Sequence, residues 1–146
     1  MAQQKVTIEI PEDLTPRERE DLAFAILDHI RERTADGVGL NSSGTRLKDF
    51  PKYSESYKKS LDFKIAGKGS TVNLKLSGDM LDAMDLLRHK KGEITIGFER
   101  GTDENGKAEG NILGSYGGSP NSAKARNFLG VTRKELKAIV GDFTDG

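Results

Sequence analysis

From Lys5 to Ile10 apolar and polar residues alternate, with Val6, Ile8 and Ile10 on one side, the period of a half-buried strand that Pro11 stops. Thr15-Pro16-Arg17-Glu18 then has the form of a capping box with proline at the first helical position. Leu22, Ala23, Ile26, Leu27 and Ile30 follow at three- and four-residue spacing, which predicts a helix through about Arg33 with one apolar face, ended at Asp36-Gly37. Residues 36–53 carry Gly37, Gly39, Asn41, Ser42, Ser43, Gly44 and Pro51 and read as irregular. A short helix capped by Ser54 is expected next, with Tyr57 and Leu61 one turn apart. Phe63 and Ile65 alternate before Gly67-Lys68-Gly69, and Val72, Leu74 and Leu76 alternate after it, the pattern of a hairpin.

Ser77-Gly78-Asp79 opens a second amphipathic stretch. Met80, Leu81, Met84 and Leu87 would face inwards on a helix whose last turn holds Arg88, His89 and Lys90, where the helix dipole favours cations. Gly92 ends that helix, and Ile94, Ile96 and Phe98 alternate as a further strand. Residues 101–127, with Gly101, Gly106, Gly110, Gly114, Gly117, Gly118 and Pro120, read as one long loop in which Asp103-Glu104-Asn105-Gly106 makes a turn. Thr132-Arg133-Lys134-Glu135 is a second capping box and starts a helix through Val140, closed by Gly141. Helices and strands in runs, without strict alternation, predict a single α+β domain over residues 1–146, with a mainly antiparallel sheet and N-terminal, short middle and C-terminal helices.

Composition narrows the class. At 146 residues, 34% hydrophobic and 32% charged, the chain can bury a core without staples, and it has no cysteine for disulfides or thiolate metal sites. It has no long apolar run and no signal-peptide pattern, so it is expected to be made and used without export and without a membrane. Twenty-three basic residues balance twenty-three acidic ones, which gives no general reason to bind nucleic acid. Lys58, Lys59, Lys64 and Lys68 are a local exception. With Tyr57 they support an alternative reading, a small DNA-associated protein, beside the simpler one of a solvated face.

No catalytic frame emerges. His29 and His89 lie on different predicted helices, and Asp28 beside His29 points elsewhere on a helix, so neither histidine has a positioned acid or base partner. Asp79, Asp82 and Asp85 share one side of the predicted middle helix but have no calcium-loop spacing around them. The glycines of 101–127 match neither phosphate-binding spacing. The expectation is a non-enzyme with no catalytic, cofactor or metal site, whose long loop serves binding or assembly. Phe128 and Leu129 could cap the domain's own core or meet a neighbouring subunit, and Tyr116, set among glycines, is a candidate for an intermolecular contact.

Several stretches together resemble a family: Phe50-Pro51-Lys52-Tyr53-Ser54-Glu55-Ser56-Tyr57-Lys58, then Val72-Asn73-Leu74-Lys75-Leu76-Ser77-Gly78-Asp79-Met80-Leu81, then Lys107-Ala108-Glu109-Gly110-Asn111 followed by Arg126-Asn127-Phe128-Leu129-Gly130-Val131. Their order and spacing resemble the tail-completion and neck proteins of tailed bacteriophages, the virion morphogenesis proteins, over roughly residues 40–137. Many relatives carry a tyrosine–alanine and histidine pair with a proline-rich stretch before the aromatic–leucine stop. Here Asn111 to Gly118 has no histidine, and Pro120 is the loop's single proline. The resemblance implies a structural virion protein, assembled in the bacterial host, that forms a homo-oligomeric ring at the head-proximal end of the tail or at the neck. Tail completion, tail termination and head–tail joining are all roles it allows, and a hexamer is among its copy numbers. Its partners would be further copies of itself and neighbouring tail-tube, terminator or connector proteins, with DNA only as passing cargo. A closed ring needs two different, complementary patches per subunit. The expected subunit contacts are Asn111, Tyr116, Arg126, Phe128 and Leu129.

Overall fold

A computed structural model of the chain describes residues 3–41, 44–49, 78–113 and 126–145. Strand β1 (Lys5–Glu9), helix α1 (Pro16–Ala35) and the short strands β2 (Val38–Leu40) and β3 (Leu47–Asp49) come first. Helix α2 (Gly78–Asp82), strands β4 (Asp85–Lys90) and β5 (Glu93–Gly97), helix α3 (Asp103–Leu113) and helix α4 (Arg133–Asp145) complete an α+β fold. β5 is central in an antiparallel sheet ordered β1-β5-β4, and β2 and β3 form a separate antiparallel pair. The expected short helix after Ser54 and the hairpin around Gly67-Lys68-Gly69 lie outside the described residues.

The sheet has one apolar and one polar side. Val6, Ile96 and Leu86 are in register across the three strands, as are Ile8, Ile94 and His89, and α1 packs on the sheet along β4 and β5. Thr7 and Thr95 are paired on the opposite side, where their hydroxyls share a 2.8 Å hydrogen bond. The core joins Ile8, Ile10, Ile94, Ile96 and Phe98 to Leu22, Ile26, Leu27 and Ile30 of α1, with Met80, Met84, Ala108 and Phe128 filling in from other segments.

Helix α1 starts as its sequence predicts. Thr15 Oγ1 accepts the Glu18 N–H at 3.1 Å, and Glu18 Oε1 accepts the Thr15 N–H at 2.9 Å, satisfying two donors that the first turn leaves without helical partners. Twenty residues carry α1 across the domain, and Arg33 and Thr34 are buried near its end along with the predicted apolar face.

Four local expectations are corrected. Residues 36–53 are not wholly irregular, since β2 and β3 pair there around Asn41, whose Oδ1 accepts the Thr45 and Arg46 N–H groups. The middle helix stops at Asp82, and residues 85–90 are strand. Arg31 explains the stop: its Nε donates to the Leu81 carbonyl and its Nη2 to the Met84 carbonyl, at 3.1 and 2.8 Å, so a side chain takes up carbonyls at the helix end. Lys91-Gly92, with Gly92 at φ +83°, then turns β4 tightly onto β5, a two-residue hairpin signal that the helical spacing of the apolar residues masked. Arg88, His89 and Lys90 therefore sit on a strand, and Asp79, Asp82 and Asp85 do not share one helix.

The third correction concerns the long loop. Residues 103–113 are helical, and Asp103-Glu104-Asn105-Gly106 is the first turn of α3. Each helical glycine costs about 1 kcal/mol relative to alanine. Offsetting this, Thr102 Oγ1 accepts the Asn105 N–H, Asp103 and Glu104 suit the helix N-terminus, and Asn105 Oδ1 accepts the Gln4 N–H at 2.7 Å. That last bond ties α3 to the start of β1. Fourth, α4 runs on through Gly141 to Asp145, and Phe143 beyond the glycine packs on the core.

Candidate functional site

The side chains expected at a subunit contact are distributed unequally. Phe128 is fully buried and meets Phe98 edge-on, ring centroids 6.1 Å apart and planes at 85°. Leu129 belongs to the same core, and Asn111 is 5% exposed. These three therefore pack within the chain, where the sequence left Phe128 and Leu129 open between the domain's own core and a neighbouring subunit. A fully enclosed phenylalanine already contributes its apolar transfer energy inside the subunit. Arg126 remains half-buried at the surface. Tyr116 and the lysines Lys58, Lys59, Lys64 and Lys68 lie outside the described residues.

Asn111 organises this corner. Its Nδ2 donates to the Lys107 carbonyl at 2.9 Å, within α3, and approaches Met80 Sδ of α2 at 3.6 Å. The Arg126 N–H donates to the Asn111 carbonyl at 2.6 Å, so the chain on the two sides of 114–125 is brought together. One residue later the Leu40 N–H donates to the Asn127 carbonyl at 2.7 Å, which sets this returning segment beside β2. The exposed apolar side chains among the described residues include Leu113 at the end of α3, Leu47 on β3 and Phe24 on α1.

The strongest polar constellation joins the second predicted capping box to side chains of α1. Arg33, 7% exposed, aims Nη2 at the Phe128 carbonyl (2.7 Å) and Nη1 at the Gly130 carbonyl (3.1 Å) and both oxygens of Glu135 (2.9 and 3.0 Å). Glu135 Oε1 also accepts the Thr132 N–H at 2.9 Å, and Thr132 Oγ1 accepts the Glu135 N–H at 3.1 Å, completing the second predicted capping box. His29 Nε2 reaches Glu135 Oε2 at 2.5 Å. Burial pushes the Glu135 carboxyl up; the Thr132 N–H, the His29 hydrogen bond, and the charge and hydrogen bonds of Arg33 outweigh it and hold the group below its ordinary range. Charge-assisted bonds to two carbonyls and a carboxylate satisfy most of the buried guanidinium and join α1, the Phe128–Gly130 turn and α4.

His29 has no acid or base partner near it in the sequence, because Glu135 is over a hundred residues away in the chain. Beside the capping box that holds Glu135, the sequence signal is the pair of ionisable residues His29 and Arg33, one turn apart on the edge of an otherwise apolar helix face. His89 also acquires partners: Arg19 Nε donates to its Nδ1 at 3.0 Å, and its Nε2 lies 3.4 Å from Glu20 Oε1. Neither histidine is placed beside a nucleophile by these contacts. Among the described residues, no helix is long and apolar enough to cross a membrane.

No family model, curated protein or solved structure matches the chain.

Proposed function

We propose that this chain is a structural virion protein of a tailed bacteriophage, assembling as a ring at the head-proximal end of the tail or at the neck. The reading starts from the ordered resemblance between residues 40 and 137. The observation that supports it best is spatial: sequence pieces that carry the resemblance, far apart along the chain, are neighbours in the fold. Met80 and Leu81, Ala108, and Phe128 and Leu129 share one core cluster, and Asn111 joins α2, α3 and the returning Arg126. A motif set that recurs in order is expected to converge when it specifies a common corner of a fold. Phe128 and Leu129 then serve the reading by building that corner from within, and Tyr116 and Arg126 are the residues it keeps for subunit contacts.

The test is electron microscopy of particles made by a phage genome from which this chain has been deleted, with the chain supplied in trans as the control. DNA-filled heads beside detached tails of normal length are expected for a completion or joining role. Tails of uncontrolled length are expected for a terminator. Intact, normally tailed virions would overturn the proposal.

A further inference from the structure

Helix α4 is held on the domain in two unlike ways. Its apolar residues Leu136, Ile139, Val140 and Phe143 recur at helical spacing and pack against the core, yet all four are only partly buried. The inward side of its start, by contrast, is buried and ionic: Thr132 is 7% and Glu135 8% exposed, and Glu135 meets Arg33 and His29. Ahead of this turn, separated from Thr132 by Val131, stands Gly130 at φ +135°, a conformation that side-chain-bearing residues rarely adopt. On the other side of Gly130, Phe128 is locked into the core. At this glycine the chain thus passes from a segment anchored by an enclosed aromatic ring to a helix whose apolar contacts are partly buried and whose enclosed anchor is the Glu135 carboxylate.

We infer that α4 is a detachable strap, docked on α1 while Glu135 is ionised between Arg33 and His29, and released about the Gly130 joint when that charge is removed. The charged groups facing Glu135 are His29 and Arg33, both from α1, and the segment leading into α4 adds the Thr132 N–H. With the carboxylate neutral, Arg33 keeps the Phe128 and Gly130 carbonyls but has no counter-charge in its buried position. Swinging α4 away lets water reach the guanidinium, and the apolar contacts it surrenders, those of Val131, Leu136, Ile139, Val140 and Phe143, are all partly buried ones. Release also bares the apolar stripe of α4 and the part of α1 that it covers, making a surface whose exposure depends on charge.

Hydrogen–deuterium exchange of the full chain tests this, comparing the wild type with Glu135→Gln and His29→Gln after correction for intrinsic exchange rates at each pH. In Glu135→Gln, amides of residues 136–144 should lose protection by roughly 10- to 100-fold, the scale of one lost set of charged hydrogen bonds, while amides of Ile26 and Leu27 keep theirs. His29→Gln should show a smaller loss confined to the same helix. Wild-type α4 should reach the Glu135→Gln level on acidification before α1 does. Simultaneous loss of protection in α1 and α4, unchanged protection of α4, or failure of Glu135→Gln to fold would each overturn the inference.

Discussion

Replacing Phe128 with alanine removes a fully buried ring from between the sheet and the 126–132 segment, and with it the edge-on contact to Phe98. The lost transfer energy and the cavity left behind place the cost at about 3–5 kcal/mol for a phenylalanine in this setting. The aromatic pairing accounts for roughly 0.5–1.5 kcal/mol of that. Collapse around the hole is limited because the Phe128 carbonyl is held by Arg33 and the Arg126 N–H by Asn111, which fix the backbone near the missing ring. Against a total stability of roughly 5–15 kcal/mol, such a loss moves the urea midpoint far down and lowers Tm by about 6–20 °C. Equilibrium urea unfolding, followed by circular dichroism with the slope m compared between variants, measures it directly. A loss below about 1 kcal/mol, with an intact monomer that no longer assembles, would refute the core assignment and return Phe128 to a subunit interface.

Other outcomes follow from single contacts. Glu135 has its folded-state pKa depressed below the ordinary 4.5, so its contribution to stability is fully present above that value and disappears as pH falls through the folded value. Urea midpoints measured from pH 7 to pH 3 should therefore converge for the wild type and Glu135→Gln at the acid end; a gap that stays constant with pH would refute the ionic account. Gly97→Ala would place its Cβ 2.3 Å from the Gln4 carbonyl oxygen and 2.7 Å from Lys5 Cα, where β1 joins β5. It should cost at least ~2 kcal/mol in a thermal or urea melt, and a neutral result would show that β1 can shift without loss. Thr15→Ala removes the cap of α1 and should cost about 1 kcal/mol in the same melts; an unchanged midpoint would mean that the helix start draws its stability from packing alone.

Where local chemistry and tertiary packing agree, the chain could be read without coordinates. Val6, Ile8 and Ile10 alternate, Thr15 to Glu18 form a complete capping box, and Thr132 to Glu135 form another; each depends on groups within a few residues of one another. The α+β class follows from those runs. Residues 78–113 show the opposite case. Met80, Leu81 and Met84 have helical spacing and are all buried, but the helix ends at Asp82 because Arg31 of α1 takes the Leu81 and Met84 carbonyls and because β5 pairs with residues 85–90. Spacing records which residues are buried, and a helix turn and a strand entering the same core can bury the same ones.

The glycines of residues 103–113 likewise argue for a loop by intrinsic preference, and a distant backbone N–H at Gln4, bonded to Asn105, helps decide for a helix. Whether Phe128 met its own core or another subunit depended on Phe98, thirty residues earlier, and on Arg33, nearly a hundred residues earlier. The Arg33–Glu135–His29 cluster is of the same kind. By itself the sequence determined the local starts, stops and periodicities, because those energies arise between near neighbours in the chain. Only the tertiary structure decided which buried charge meets which, because that depends on segments brought together by the collapse of the whole core.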